Sequence, residues 1–257
     1  MNIFNVRFLH DLKDFCYFLR HPTLISYLPP NKISFNSSKF RDCVLIYFKR
    51  LFNWVLFLWI VNFCILGPIT AIVSYSNGIT HKINIFDISW YTVVLWAPII
   101  EEMLFRYVFF QPIRAFLLYP ILIPALLIGP KVWSIVIFLT IISIFLILFH
   151  KKKFNQLIDF SFEIPNKYFP LIFHFITFLF ACMHLFNFSL NKVSFWLLPM
   201  LILPQWVTGL VLGWIRTRYG ISSSILLHAL FNLGPLILTW IFIKNVGISP
   251  SLIIQNN

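Results

Sequence analysis

The sequence predicts an all-α, polytopic transmembrane helix bundle of about seven spans with an N-terminal amphipathic interfacial segment. Three observations carry that prediction. Of 257 residues, 60% are hydrophobic and only 11% are charged, against about 25% charged in an average globular chain. Several runs approach or exceed the roughly 18 apolar residues that a bilayer crossing needs. Finally, the net charge of +12 is placed as membrane topology requires: eight of the 20 Lys and Arg residues fall in residues 1–50, and most others flank apolar runs. No basic–aromatic recognition motif accompanies that charge, so the expected partner is a lipid bilayer and not nucleic acid.

The elements follow in order. In residues 1–41, Phe8, Leu9, Leu12, Phe15, Cys16 and Leu19 recur at three- and four-residue intervals, the period of an amphipathic helix lying at the cytoplasmic interface. "YLPPNKISFNSSKF" reads as a linker, because Pro, Asn and Ser favour turns. Residues 1–50 therefore form a basic arm and linker, 51–245 a membrane domain and 246–257 a short tail. Within the domain, apolar runs place helices at about 51–73, 89–110, 115–129, 131–149, 168–190, 195–215 and 221–243. "VWSIVIFLTIISIFLILF" is uncharged and is followed by "HKKK", whereas Pro120 and Pro124 should kink 115–129 or make it re-entrant. With seven spans, the arm, Arg114, Lys151–Lys153, Lys167, Arg216 and Arg218 share one side, leaving Lys82, Lys131, Lys192 and Lys244 opposite. The basic side should be cytoplasmic, which puts the amino end inside and suits the plasma membrane. No internal repeat marks a transporter.

The four cysteines, Cys16, Cys43, Cys64 and Cys182, show no C-x-x-C or zinc spacing, and Cys64 and Cys182 read as packing residues in apolar runs. "MNIFNVRFLHDLKDF" is too charged for a signal-peptide core, and "IIQNN" is not a prenylation box.

Ionisable groups at mid-bilayer cost about 2.5–3.5 kcal/mol or more, so each needs a partner, a cavity or a function. In "APIIEEMLFRYVFF", Glu102 and Arg106 are four apart and can pair on one face. Glu101 lies about 100° round the helix with no local partner, the setting of a general base. "FLFACMHLF" places His184 deep in an apolar helix, while His174 has the same neighbourhood and no other mark of function. "SSSILLHALFN" sets His228 and Asn232 on one face, four apart. Each feature has a structural alternative, as an ion-pair network or as helix-to-helix hydrogen bonding. Together, Glu101, His184, His228 and Asn232 supply a base, two imidazoles and an amide donor, a sufficient kit for peptide hydrolysis. Other hydrolytic motifs are missing. There is no H-E-x-x-H and no G-x-S-x-G, and Asp87 and Asp159 fall at a helix end and in a loop. Ser224 lies four residues before His228 and could form a dyad with it, but Ser222–Ser224 reads better as a helix start whose hydroxyls satisfy free N–H groups.

In order, "EEMLFR", "FACMH" and "HALFN" match E-E-x-x-x-R, F-x-x-x-H and H-x-x-x-N. The ordered trio on apolar helices resembles the CPBP family of intramembrane proteases, also called the CAAX protease or self-immunity family, which includes the type II CAAX prenyl endopeptidase. The resemblance spans about residues 89–235, and "GWIRTRYGISSSILLHALFN" resembles the family's last motif region. It implies an endopeptidase acting on a membrane-associated protein or peptide. Glu101 would activate water, His184 would help to hold it, and His228 and Asn232 would stabilise the oxyanion, with Glu102, Arg106 and Phe180 in support. Two arrangements stay open: a divalent metal such as zinc on Glu101, His184 and His228, or a metal-free site with Glu101 as general base. The alternative class is a non-catalytic binding or immunity partner, or a small transporter using the same polar cavity. One tension remains in the helix register. At about 1.5 Å per residue, His228 lies about 12 Å, and His184 about 24 Å, from the cytoplasmic helix starts.

Overall fold

The computed structural model describes residues 6–24, 37–82, 89–150, 164–190 and 193–246. Most of the expected linker, Asp87, Asp159, Lys151–Lys153, Lys192 and the tail from residue 247 lie outside the described residues. The fold is an all-α polytopic membrane bundle. Among the described residues, four segments are long and apolar enough to cross a bilayer, Val44–Ser76, Phe169–Asn187, Phe195–Tyr219 and Ile221–Ile241, and Pro112–Ile128 and Val132–Leu148 are shorter apolar helices.

Helix α1 (Val6–Arg20) turns Phe8, Asp11, Phe15 and Phe18 inward. Leu9 and Cys16, expected on the apolar face, point outward instead. The seam is set by what fills it. Phe8 and Phe15 meet Trp54 with ring centroids 5.2 and 5.4 Å apart, and Phe18 meets Phe173 at 5.0 Å. Two carboxylates lock the same face: Asp11 accepts from Arg50 at 2.6 and 2.8 Å, and Asp14 from Arg218 at 2.9 and 3.0 Å. Trp214 Nε1 also donates to Asp14, at 3.0 Å. Burial raises the Asp14 pKa, but the bonds from Arg218 and Trp214 outweigh it and hold the carboxyl below its ordinary value.

Helix α2 (Ser37–Val61) starts 14 residues before the expected 51, because the linker's last residues and "VLIYFKR" continue the turn. A wide π turn (Asn62–Leu66) leads into α3 (Gly67–Ser76). The motif segment 89–110 is likewise not one straight helix. A π turn (Thr92–Trp96) precedes α4 (Ala97–Phe105), and a 3-10 turn (Tyr107–Phe109) follows it. Both π turns end just before a proline, Pro68 or Pro98. Proline has no N–H, and its ring crowds the carbonyl four residues back, so the ladder widens there. The break after Phe105 has a second proline cause. Gln111 precedes Pro112 and is pushed out of the helical region, to φ −138° and ψ 62°.

Helices α5 (Pro112–Ile128) and α6 (Val132–His150) match their expected positions, and α5 stays helical through Pro120 and Pro124. Helix α7 (Phe169–Met183) stops well short of the expected 190 and passes into a 3-10 turn, His184–Asn187. The chain then forms strand β2 (Phe188–Ser189), antiparallel to β1 (Thr80–His81), with Thr80 opposite Ser189 and His81 opposite Phe188. Helices α8 (Leu198–Tyr219) and α9 (Ile221–Val246) join through Gly220, whose φ of 90° suits a residue without a side chain.

One end of the bundle gathers α1, the starts of α2, α7 and α9 and the end of α8. Tyr47 bonds Ser223 at 2.7 Å, and His174 Nε2 lies 3.1 Å from the Leu19 carbonyl, which explains this second histidine structurally. Cys64, expected to pack, lies on an exposed face.

Against α7, helix α8 presents Gly209 and Gly213, a G-x-x-x-G groove. A Cβ on Gly213 would sit 2.6 Å from the Phe173 ring, and one on Gly209 would sit 2.9 Å from Phe180 Cδ1. This close approach sets the depth of α7. Phe173 is level with Gly213, while Ser224 of α9 reaches the Leu212 carbonyl at 3.0 Å. The imidazoles of His184 and His228 nevertheless meet the same Phe180 ring, at 4.9 and 6.0 Å, so packing brings them to one level that distance from the helix starts does not predict.

Candidate active site

Helices α4, α7 and α9 bring the motif residues together, with α8 as the backing. The centre is the His228 imidazole, which bridges the adjacent glutamates. Its Nδ1 lies 3.0 Å from Glu102 Oε1 and its Nε2 lies 3.7 Å from Glu101 Oε2. Glu101, which had no local partner in the sequence, finds one on a helix 127 positions along the chain. Its side chain is 13% exposed, and Oε2 is buried with no hydrogen bond.

Glu102 is fully enclosed. Arg106 Nη1 stands 3.1 Å from Oε1, the i,i+4 pair that the spacing predicts. The Ser224 hydroxyl lies against Oε2. Ser224 thus departs from its expected role: its side chain turns to a carboxylate and a carbonyl and caps no free N–H group. Nor does it face His228 as a dyad would require, since two residues four apart on α9 both reach Glu102.

Phe180 forms the wall that the charged groups share. The Arg106 guanidinium lies 3.9 Å above its ring, and the rings of His184 and His228 meet it at 4.9 and 6.0 Å. A buried guanidinium over an aromatic face recovers part of its lost hydration. His184 sits where α7 loosens into its 3-10 turn, its Nδ1 2.9 Å from the Phe180 carbonyl. Glu101 and His228 are close enough to act on it electrostatically.

Carbonyls and carboxylates only accept, so Nδ1 carries the proton in both histidines. The Nε2 atom is left as the open position of each. Asn232 Nδ2 donates to the Val93 carbonyl at 2.9 Å, in the π turn before α4. That commits one of its two amide hydrogens and ties the motif helix to α9. Among the described residues, no group of three or more His, Cys, Asp and Glu side chains could hold a metal ion. As arranged, Glu101, His184 and His228 do not fit a three-ligand centre.

Residues 84–234, more than half the chain, match the family model described as type II CAAX prenyl endopeptidase Rce1-like. The chain belongs to that family. As a member of the Rce1-like type II CAAX prenyl endopeptidase family it is a peptidase that works within the membrane, on a protein or peptide substrate. No curated protein and no solved structure matches the chain.

Two contributors to this Rce1-like site were missed in the sequence. Ser224 was masked by the serine run around it. Arg216 donates from Nε to the Arg106 carbonyl at 3.3 Å, with its guanidinium 4.6 Å from the centre of the Phe110 ring, and so holds the broken end of α4. The signal for Ser224 was its spacing, because Ser224, His228 and Asn232 form an unbroken i, i+4, i+8 stripe.

Proposed function

We propose that this chain is an endopeptidase that hydrolyses a peptide bond in a membrane-associated protein or peptide, with Glu101 as general base. The observation that carries the reading is the His228 imidazole set between the two glutamates, with one carboxylate spoken for and the other open. Glu102 is held by Arg106, Ser224 and His228. Glu101 has a buried oxygen with no donor, the position from which a base can take a proton from water.

Water held between Glu101 and His184 Nε2 attacks the carbonyl carbon. A C–O bond forms as Glu101 takes the proton, and the carbonyl oxygen becomes an oxyanion. Asn232 offers its second amide hydrogen to that oxyanion. His228 donates to it from Nε2 only when that atom also carries a proton. Collapse breaks the C–N bond, and Glu101 returns the proton to the leaving amine. Phe180 and Arg106 hold the imidazoles and Glu102 in register. The basic end of the bundle, with α1 and Arg218, faces the cytoplasm in this reading, and the plasma membrane is the expected location.

Comparison of membrane proteins from cells carrying the wild-type chain and Glu101→Gln should reveal a substrate that only the wild type shortens. Purified Glu101→Gln, His184→Ala and His228→Ala should remain folded and lose cleavage of that substrate. Full cleavage by all three variants would refute the assignment.

A further inference from the structure

We infer that Ser224 is a positioning residue of this site, acting through Glu102 to fix the proton on Nδ1 of His228. The inference rests on the peptidase reading of the site and adds a residue outside the three motifs.

Ser224 is fully buried in the first turn of α9. The helix start does not require its hydroxyl, because its own N–H already donates to the Gly220 carbonyl at 3.3 Å. The hydroxyl reaches Glu102 Oε2 and lies 3.0 Å from the Leu212 carbonyl, so its one hydrogen chooses between two acceptors. The neighbouring Ser223 hydroxyl is turned elsewhere, donating to the Tyr219 carbonyl at 2.8 Å and accepting from Tyr47 at 2.7 Å.

On Glu102 the two oxygens are divided by partner. Oε1 accepts a hydrogen bond from His228 Nδ1 at 3.0 Å and forms an ion pair with Arg106 Nη1 at 3.1 Å, and Oε2 accepts from Ser224. A carboxylate held at both oxygens cannot turn about its terminal bond without losing a buried donor. Because Ser224 and His228 are four apart, one face of α9 grips both oxygens of the same carboxylate. The locked Glu102 accepts only from Nδ1, so in neutral His228 the lone pair sits on Nε2, facing Glu101 Oε2 at 3.7 Å.

The test compares Ser224→Ala with Ser224→Cys, which fills the space and is a weak donor, in full-length protein in lipid nanodiscs. The ¹⁵N spectra of histidine-labelled protein, with His228 assigned by difference from His228→Gln, should show the Nδ1–H tautomer in wild type. Both variants should show a mixture of tautomers. Cleavage should lose about tenfold in kcat, the equivalent of about 1.4 kcal/mol, with KM changed less than about twofold. The spectrum needs no turnover. If the wild-type chain cleaves nothing, the peptidase reading falls while the tautomer comparison still decides the role of Ser224. An unchanged tautomer in both variants overturns the inference, whether or not activity drops, since a fall in activity alone would then reflect packing.

Discussion

Gly209→Ala is the sharpest test of how the site is held, because the residue touches no motif histidine and carries no chemistry. Its added Cβ would lie 2.9 Å from Phe180 Cδ1, 3.1 Å from Thr177 Cγ2 and 3.4 Å from Arg106 Nη2. Carbon atoms rest at about 3.5–4.0 Å, so the Phe180 ring must retreat by about 0.6 Å or more. Backbone on one side and the Arg106 guanidinium on the other leave it little room, and such overpacking costs about 1–3 kcal/mol. At about 2 kcal/mol the melting temperature should fall by about 4–8 °C. The same displacement disturbs the face against which Arg106, His184 and His228 lie. Cleavage should therefore drop more steeply than the folded fraction does at the assay temperature. Melting in detergent micelles, followed by tryptophan fluorescence, measures the first effect, and initial cleavage rates measure the second. A variant with wild-type melting and wild-type rates would refute the claim that the G-x-x-x-G groove sets the depth of Phe180.

Three other expectations follow. Asn232→Asp places an acceptor against the Val93 carbonyl and removes both amide donors, so it should lower both thermal stability and kcat, the latter by about 10²–10³-fold as for a lost oxyanion donor; steady-state rates and a melting curve check both. Docking of α1 should depend on pH. The folded pKa of Asp14 lies below the ordinary carboxylate value, so its contribution is complete above that ordinary value and is lost as pH falls through the folded one. Amide exchange in α1 should accelerate in that acid window, and Asp14→Asn should bring the same acceleration at neutral pH. Arg216→Gln removes the guanidinium that stands over Phe110 and donates to the Arg106 carbonyl; kcat should fall about tenfold, the equivalent of one hydrogen bond from a charged group, with Arg216→Lys recovering only part, as single-turnover rates would show.

Much of the chain was legible before any coordinates. Long apolar runs, charge clustered at their ends and the i,i+4 spacing of Glu102 with Arg106 depend on local sequence alone, so the bundle, the family resemblance and that ion pair could be read directly. The break in the motif helix depends on the prolines that bracket it and on an arginine that reaches its end from another helix. The inward face of α1 was misassigned because its period allows more than one seam, and the choice fell to rings and arginines far along the chain.

By itself, the sequence determined that this chain lives in a bilayer and which side chains are too costly to place there without a reason. Only the tertiary structure decided that one imidazole lies between two neighbouring carboxylates and that a serine completes the grip on one of them. The physical reason is that hydropathy and spacing act within a helix, whereas hydrogen-bond direction is settled between helices, at the distance that their smallest residues allow.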